Sequence, residues 1–341
     1  MVKMDRSSPS ISVIMPCYNE AKYIEESIKS LLDDYSLKNC EILVVDGMSN
    51  DGTQEIIQSL IKEGLPISLF QNEKRLQAHG LNLGISKAEG EMIVRVDAHC
   101  LYPPGYIKKC VELLKSKDAW NVGGMVVPQG TETIQKAIAL ALKHPVGVGK
   151  AKWYVGNYSG YAKSVPFGTF RKELFDTIGL YDPKAKANED AELNLRIQKA
   201  GGKVYLDSSI KVTYFPRESL KELAVQYFKY GRGRCYTTLK HRKITAPRQI
   251  LSAFLVVGLF FSVVLSFFRP LFLVFPLSYF GALFLTTLFS WPRQSIPLRQ
   301  RILTGLAFSV MHISWGIGFL SYLIGVRPDP NVQVEKGKIV Y

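Results

Sequence analysis

At 341 residues the chain is long enough for one large domain or two modest ones with a sizeable core. Lys+Arg number 43 against Asp+Glu 29, a formal net charge of +14 that suits a phosphorylated substrate or anionic lipid. The cations form no long aromatic-interleaved stripe, which argues against nucleic acid, and the five cysteines (Cys17, Cys40, Cys100, Cys110, Cys235) include no CxxC pair, which argues against a disulfide framework or a structural zinc site and for a reducing compartment.

Met1 to Ser10 is polar and lacks an apolar h-region, so no cleavable signal peptide is expected. Ile11 to Pro16 reads as a strand, Cys17-Tyr18-Asn19-Glu20 as the loop after it, and Ala21 to Leu32 as a helix with Ile24, Ile28, Leu31 and Leu32 on one face. Glu41 to Asp46 is a second strand, Gly47 to Thr53 a turn-rich loop and Gln54 to Glu63 a helix. Leu65 to Gln71 is a weaker strand, Ala78 to Lys87 a helix, and Met92 to Asp97 a buried strand between Gly90 and Pro103-Pro104. This β-α-β-α alternation predicts a mostly parallel sheet with right-handed crossovers.

Asp97 and His99 stand two apart where the last of these strands should stop. In extended geometry they share a face, at the sheet edge where open α/β folds bind ligands. A carboxylate and an imidazole there make half a site for a divalent ion holding a diphosphate. A strand-end aspartate capping the next turn fits the same residues. No GxGxxG follows the first strand and no GxxxxGK[ST] occurs, so the common dinucleotide and P-loop phosphate cradles are absent. Acids do stand at three successive strand ends, Glu20, Asp46 and Asp97, where carboxylates can accept from ribose hydroxyls or a base N–H. Ser49, Asp51 and Thr53 equally read as caps of the following helix.

Beyond residue 250 lie three apolar segments, Ile250 to Phe268, Leu271 to Phe289 and Leu303 to Val326, none with Asp, Glu, Lys or Arg. Each approaches the length of a membrane span. Lys240, His241, Arg242, Lys243 and Arg248 precede the first, and Arg293, Arg299 and Arg301 fill the loop before the third. The positive-inside rule then puts residues 1–249 and that loop in the cytoplasm, with the Arg269-Pro270 turn and the tail after Arg327 outside. Pro276 and His312-Ile313-Ser314 weaken the second and third segments, so one of them also reads as re-entrant or interfacial. The expected division is a cytoplasmic domain 1–240, a basic linker 241–249, a membrane region 250–326 and a tail 327–341. Leu220 to Tyr230 reads as an amphipathic helix on the membrane surface.

Pro16-Cys17-Tyr18-Asn19-Glu20, the loop from Val45 to Thr53 and Asp97-Ala98-His99 together resemble the GT-A catalytic domain of family 2 glycosyltransferases. The likeness continues through Gly168-Thr169-Phe170-Arg171, Ile178 to Asp182 and Asn188-Glu189-Asp190-Ala191-Glu192-Leu193, over about the first 240 residues. Val96 to His99 followed by Tyr102-Pro103 further resembles the succinoglycan-biosynthesis branch, membrane-attached enzymes that extend lipid-linked oligosaccharides. The resemblance implies a GT-A α/β fold followed by membrane helices, and nucleotide contacts from Pro16, Tyr18, Glu20, Asp46, Ser49, Asp51 and Asp97, with Asp46 at the base. It makes Asp97 and His99 the metal ligands, His99 standing where the family usually has a second Asp. An imidazole ligand suits Mn²⁺ over Mg²⁺. Glu189-Asp190 matches the family's acidic pair, with Asp190 as base and Glu189 orienting the acceptor. Gly168, Gln226, Lys229, Arg232 and Arg234 match acceptor or diphosphate positions; Lys229-Tyr230 replaces the Arg-Trp of polymerising relatives, which favours single transfer. The cations of this stretch equally read as juxtamembrane charges drawn to anionic lipid.

The implied activity is inverting, non-processive transfer of a sugar from a UDP-linked donor to a lipid-linked (polyprenyl) saccharide, at the cytoplasmic face of the cell membrane by a multi-pass protein. Two other readings remain at this stage: a polyprenyl-phosphate glycosyltransferase, and a non-catalytic membrane scaffold that binds nucleotide sugar. Sequence motifs say nothing of oligomeric state.

Overall fold

The computed structural model describes residues 10–32, 39–244, 248–292, 295–326, 333–335 and 338–340. The first half keeps the expected alternation: β1 (Ile11–Cys17), α1 (Ile24–Leu32), β2 (Cys40–Asp46), α2 (Thr53–Lys62), β3 (Ile67–Gln71), α3 (Gln77–Lys87) and β4 (Met92–Arg95). Apolar runs buried on both faces make these strands, with Val13, Ile14, Met15, Ile42, Val44 and Val94 wholly shielded from solvent. There follow β5 (Cys100–Leu101), α4 (Tyr106–Ser116), β6 (Asn121–Pro128), α5 (Thr133–Leu142), α6 (Pro145–Val148), β7 (Gly160–Tyr161), β8 (Thr169–Arg171), α7 (Leu174–Ile178), α8 (Glu189–Lys199) and β9 (Val204–Tyr214). The last elements are α9 (Leu220–His241), α10 (Arg248–Ser266), α11 (Val274–Phe289), α12 (Leu298–Leu323) and a hairpin of β10 (Gln333–Glu335) with β11 (Lys338–Val340).

Among the described residues nine strands form one sheet, in the order β3-β2-β1-β4-β8-β6-β9-β5, with β7 also paired to β9. β3, β2, β1 and β4 run parallel; β8, β6, β9, β5 and β7 join through antiparallel pairs. In register, Cys17 faces Asp46 across β1 and β2, and Ile14 faces Arg95 across β1 and β4. The carboxyl ends of three strands therefore lie side by side.

The chain divides into two compact units. One comprises residues 1–127 and 152–214, the other 128–151 and 215–341. The sequence placed the first boundary at 240, whereas α9 and the 128–151 insertion pack with the C-terminal helices. Glycines explain part of this. A Cβ on Gly231 of α9 would overlap the Trp315 carbonyl of α12, and one on Gly318 would overlap the Phe228 carbonyl, so only hydrogen at these positions lets the two backbones touch.

In the second unit two stretches are long and apolar enough to cross a membrane, Pro270–Phe289 (mean hydropathy 1.9) and Leu298–Leu323 (mean hydropathy 1.5); Ile250–Ser266 is apolar but shorter. Pro276 falls in the first turn of α11, where a missing N–H costs little. Arg299 and Arg301, expected in a loop, belong to α12, while Arg293 lies outside the described residues. Arg301 is buried and donates to the carbonyls of Thr287 (3.3 Å), Leu288, Pro292 (2.6 Å) and Ile296 (3.0 Å). It satisfies the orphan acceptors at the C-terminal end of α11 and its loop.

Candidate active site

The nucleotide-type loop builds itself around Asp46, which is wholly buried at the end of β2. Its Oδ2 accepts from Ser49 N (2.8 Å) and Gln54 Nε2 (2.7 Å), and its Oδ1 from Ser49 Oγ (2.5 Å) and the Cys17 thiol (3.6 Å). Asp46 thus organises the loop with both oxygens. Met48, with φ 65°, makes the left-handed turn this closure requires. Ser49 Oγ in turn accepts from Asn19 N at 2.8 Å, and Asn50 N donates to Asn19 Oδ1 at 3.0 Å, which locks the β1 loop to the β2 loop.

Asp51 and Thr53 continue the lacing. Asp51 accepts from Ala21 N (3.1 Å), Thr53 N (3.1 Å) and Thr53 Oγ1 (2.6 Å), and Thr53 Oγ1 accepts from Glu20 N (2.9 Å). Partial burial works to raise the Asp51 carboxyl, but the hydrogen bonds from Thr53 and Ala21 outweigh it and hold the group below its ordinary value. Pro16 sits in β1 opposite Val45. The Tyr18 ring lies under the Arg75 guanidinium, 5.8 Å from centroid to Cζ.

Asp97 and His99 are not on a strand. β4 ends at Arg95, Val96 N still donates to Ile14 O at 3.0 Å, and residues 98–99 form a turn. The Tyr102 hydroxyl ends the ladder: it accepts from Asp97 N (2.6 Å) and donates to Asp97 O (3.1 Å). The shared face inferred from an extended Asp97-Ala98-His99 therefore does not exist; a turn, not a pleat, presents the two side chains. His99 Nδ1 meets Glu20 Oε1 at 2.9 Å, and its ring stands edge-on to Tyr214 with centroids 5.3 Å apart.

Arg95 is the residue that sequence reasoning passed over. It is 5% exposed, and its Nη2 pairs with Glu189 Oε1 at 3.0 Å and Asp97 Oδ1 at 3.4 Å. Its guanidinium also faces the Tyr181 ring, 5.9 Å from the centroid. The available signal was a lone cation within the apolar run Met92-Ile93-Val94-Arg95-Val96, because a buried charge must be paired. Burial opposes the Arg95 charge, but Asp97 and Glu189 reverse this and hold it protonated. Glu189, 4% exposed at the first turn of α8, is pushed up to about 7: burial outweighs the pull of Arg95, and the neighbouring Asp190 adds to the rise.

Asp190, the second acid of the pair, is half-buried and accepts from Ala191 N at 2.7 Å. Asn188 holds φ 57° and turns the chain into α8, so both acids sit at a helix N-terminus that favours negative charge. Gly168 underlies the arrangement: with φ 95° its carbonyl accepts from Arg95 N at 2.9 Å, and a Cβ would lie 2.8 Å from Asn121 Oδ1. The first unit thus brings Glu20, Asp97, His99, Glu189 and Asp190 around Arg95 and the ends of β1 and β4.

The remaining expected contacts belong to α9 in the second unit. Gln226 Nε2 donates to Tyr230 Oη at 3.1 Å, Lys229 is exposed and Arg234 half-buried. Arg232 donates to Ser321 Oγ (3.0 Å) and Val326 O (2.8 Å) and faces the Tyr322 ring at 5.3 Å, so it serves the end of α12. Among the described residues no group of three or more His, Cys, Asp or Glu side chains surrounds a single point that would hold a metal ion.

The Glycosyl transferase family 2 profile matches residues 12–179. The chain is 33% identical over 327 residues, 94% of its own length and 97% of the relative's, to the succinoglycan biosynthesis protein ExoA of Rhizobium meliloti (strain 1021). It is 30% identical over 233 residues, 66% of its length and 72% of the relative's, to the dolichyl N-acetyl-alpha-D-glucosaminyl phosphate 3-beta-D-2,3-diacetamido-2,3-dideoxy-beta-D-glucuronosyltransferase of Methanococcus voltae. Among solved structures, the mannosyltransferase PcManGT from Pyrobaculum calidifontis in complex with GDP-Man and Mn²⁺ shares the fold, with TM-score 0.57 and 18% identity over 93% of this chain and 88% of that one. The mixed, mostly parallel sheet, the strand-end acids and these likenesses agree: the chain is a glycosyltransferase of GT-A fold and belongs to glycosyl transferase family 2.

Proposed function

We propose that the protein transfers one sugar, with inversion, from a UDP-linked donor to a lipid-linked saccharide at the cytoplasmic face of the membrane. The observation that carries this reading is the single guanidinium of Arg95 shared by Asp97, on the donor side, and Glu189, on the acceptor side. It ties the two halves of a displacement site together at fixed separation. The lipid-linked acceptor is carried over from the Methanococcus voltae relative, whose name specifies a dolichyl phosphate-linked sugar.

Asp190 takes the proton of the acceptor hydroxyl as that oxygen attacks the anomeric carbon. It is the more accessible of the two acids, whereas Glu189 is committed to Arg95. Glu189 orients the acceptor and keeps α8 in place. The laced loops of Asn19, Ser49, Asp51 and Thr53 present a rigid rim for the nucleotide, with Pro16, Tyr18 and Glu20 at its base.

The donor set fits a divalent ion delivered with the substrate. Asp97 would supply oxygen and His99 nitrogen, leaving the remaining positions to the donor's diphosphate and water. Glu20 on Nδ1 fixes the imidazole in the way carboxylates orient metal-bound histidines. When bound, the ion neutralises the departing diphosphate, and the mixed oxygen–nitrogen set favours Mn²⁺ over Mg²⁺. An acceptor panel tests the reading: product from polyprenyl-diphosphate saccharide is expected, and product from bare polyprenyl phosphate alone would overturn it.

A further inference from the structure

α12 is 26 residues long, about 39 Å at the helical rise and more than the roughly 30 Å of hydrocarbon in a bilayer. Polar or short segments accompany it from end to end. At its start Gln300 Nε2 donates to Thr133 O at 3.0 Å, and Thr304 Oγ1 lies 3.5 Å from Ala137 O. Midway His312 Nε2 donates to Val146 O at 2.8 Å. Toward its end the backbones of Gly318 and Phe228 touch, and Arg232 holds Ser321 and the Val326 carbonyl. Thr133 and Val146 each lie a few residues from the first unit along the chain, and α9 begins shortly after β9.

A helix crossing the bilayer cannot keep such company. α9 runs parallel to α12, with Phe228 beside Gly318 and Tyr236 beside Tyr322 (ring centroids 6.2 Å apart). If α12 crossed, α9 would have to carry Lys221, Glu222 and Lys229 through hydrocarbon, where charged side chains are costly. α5, with ten residues, is half a span long. α11 lies antiparallel along α12, since Tyr279 Oη meets His312 Nδ1 at 3.0 Å while Arg301 donates to Thr287 O at 3.3 Å. α10 starts against Gly316, and a short connection containing the 3-10 turn Pro270–Leu273 returns the chain to α11, too short to recross a bilayer. Meanwhile Leu298, Ile302, Leu306, Ile317 and Ile324 stand exposed at helical spacing opposite a buried stripe of Arg301, Thr304, Phe308 and Met311. One-sided apolar exposure beside charged and short segments fits a helix lying in an interface.

We propose that α11 and α12 lie along one face of the membrane, so that the second unit is a monotopic lipid platform and the chain crosses no bilayer. This replaces the three-span topology that hydropathy and charge suggest. The choice of the cytoplasmic face rests on the functional reading above; the agreement between the two termini does not.

Two full-length fusions test it in alkali-washed membranes of a bacterial host: fluorescent protein before Met1 or after Tyr341, each paired with an alkaline phosphatase version. The expected result is retention in the membrane, with both termini fluorescent and neither phosphatase active. An active C-terminal phosphatase beside a fluorescent N-terminus would mean an odd number of crossings and overturn the proposal; labelling of Arg269→Cys or Ser295→Cys by a membrane-impermeant maleimide in intact cells, the five native cysteines being buried, would reveal a pair of crossings and overturn it equally, as would release of the chain by the alkaline wash. Loss of transferase activity, or both termini outside, would count against the functional reading and leave this one standing.

Discussion

Arg95 Nη2 lies 3.0 Å from Glu189 Oε1, in a pocket where each side chain is 6% exposed. Removing one partner of such a pair leaves a buried charge uncompensated, at a cost of about 3–5 kcal/mol. Arg95→Met is therefore expected to lower thermal and denaturant stability by that order, and Arg95→Met with Glu189→Gln to recover most of it. A double-mutant cycle on purified protein measures this; additive losses would contradict the pairing.

The raised Glu189 carboxyl fixes a pH trend. Its value goes from 4.5 to about 7 on folding, with burial as the main cause. Between these values the folded chain holds more protons than the unfolded chain, so stability falls as pH rises through that window and levels off above it. Glu189→Gln should flatten this slope. A wild-type stability curve that rises from pH 5 to 7, with the same rise in Glu189→Gln, would contradict the burial effect.

His99 and Glu20 make a second pair with a measurable consequence. His99→Ala is expected to weaken Mn²⁺-dependent UDP binding, and Glu20→Gln to weaken it about 10–100-fold through the loss of imidazole orientation. Titration of UDP with and without Mn²⁺ reads both. Unchanged Mn²⁺ dependence in His99→Ala would remove His99 from the ligand set.

Asp46 is predicted to matter to the loop before it matters to the nucleotide. Asp46→Ala removes the acceptor of Ser49 N, Ser49 Oγ and Gln54 Nε2, half-buried donors whose bonds are each worth about 0.5–1.5 kcal/mol net. Proteolysis of the 47–53 loop should accelerate in this variant even without ligand. Equal protection in variant and parent would show that the loop stands without Asp46.

The sheet from β1 to β4 was legible because its strands are continuous apolar runs and its helices carry one apolar face. The family was legible because the type and order of its motif residues survive without structure. What escaped the sequence is what depends on distant partners. Arg95 looked like an interruption of a strand until Glu189, far along the chain, came beside it. Asp97 and His99 seemed to share a pleat because nothing local announces that the Tyr102 hydroxyl ends β4 two residues early. The 128–151 segment fell inside the expected 1–240 domain, and only its contacts with α12 reveal the unit it belongs to. Arg301 passed for a loop cation that orients a membrane span, although it caps α11.

The central claim is that Asp190 acts as the base of an inverting sugar transfer beside the Arg95–Glu189 pair. Asp190→Asn keeps the shape of the side chain and its hydrogen bond from Ala191 N while removing the proton acceptor. Turnover of UDP-sugar onto a polyprenyl-diphosphate saccharide, measured together with UDP affinity, gives the direct test. The account predicts a loss of about 10²–10⁴-fold in kcat with UDP binding unchanged. Parent-like turnover in Asp190→Asn would contradict it.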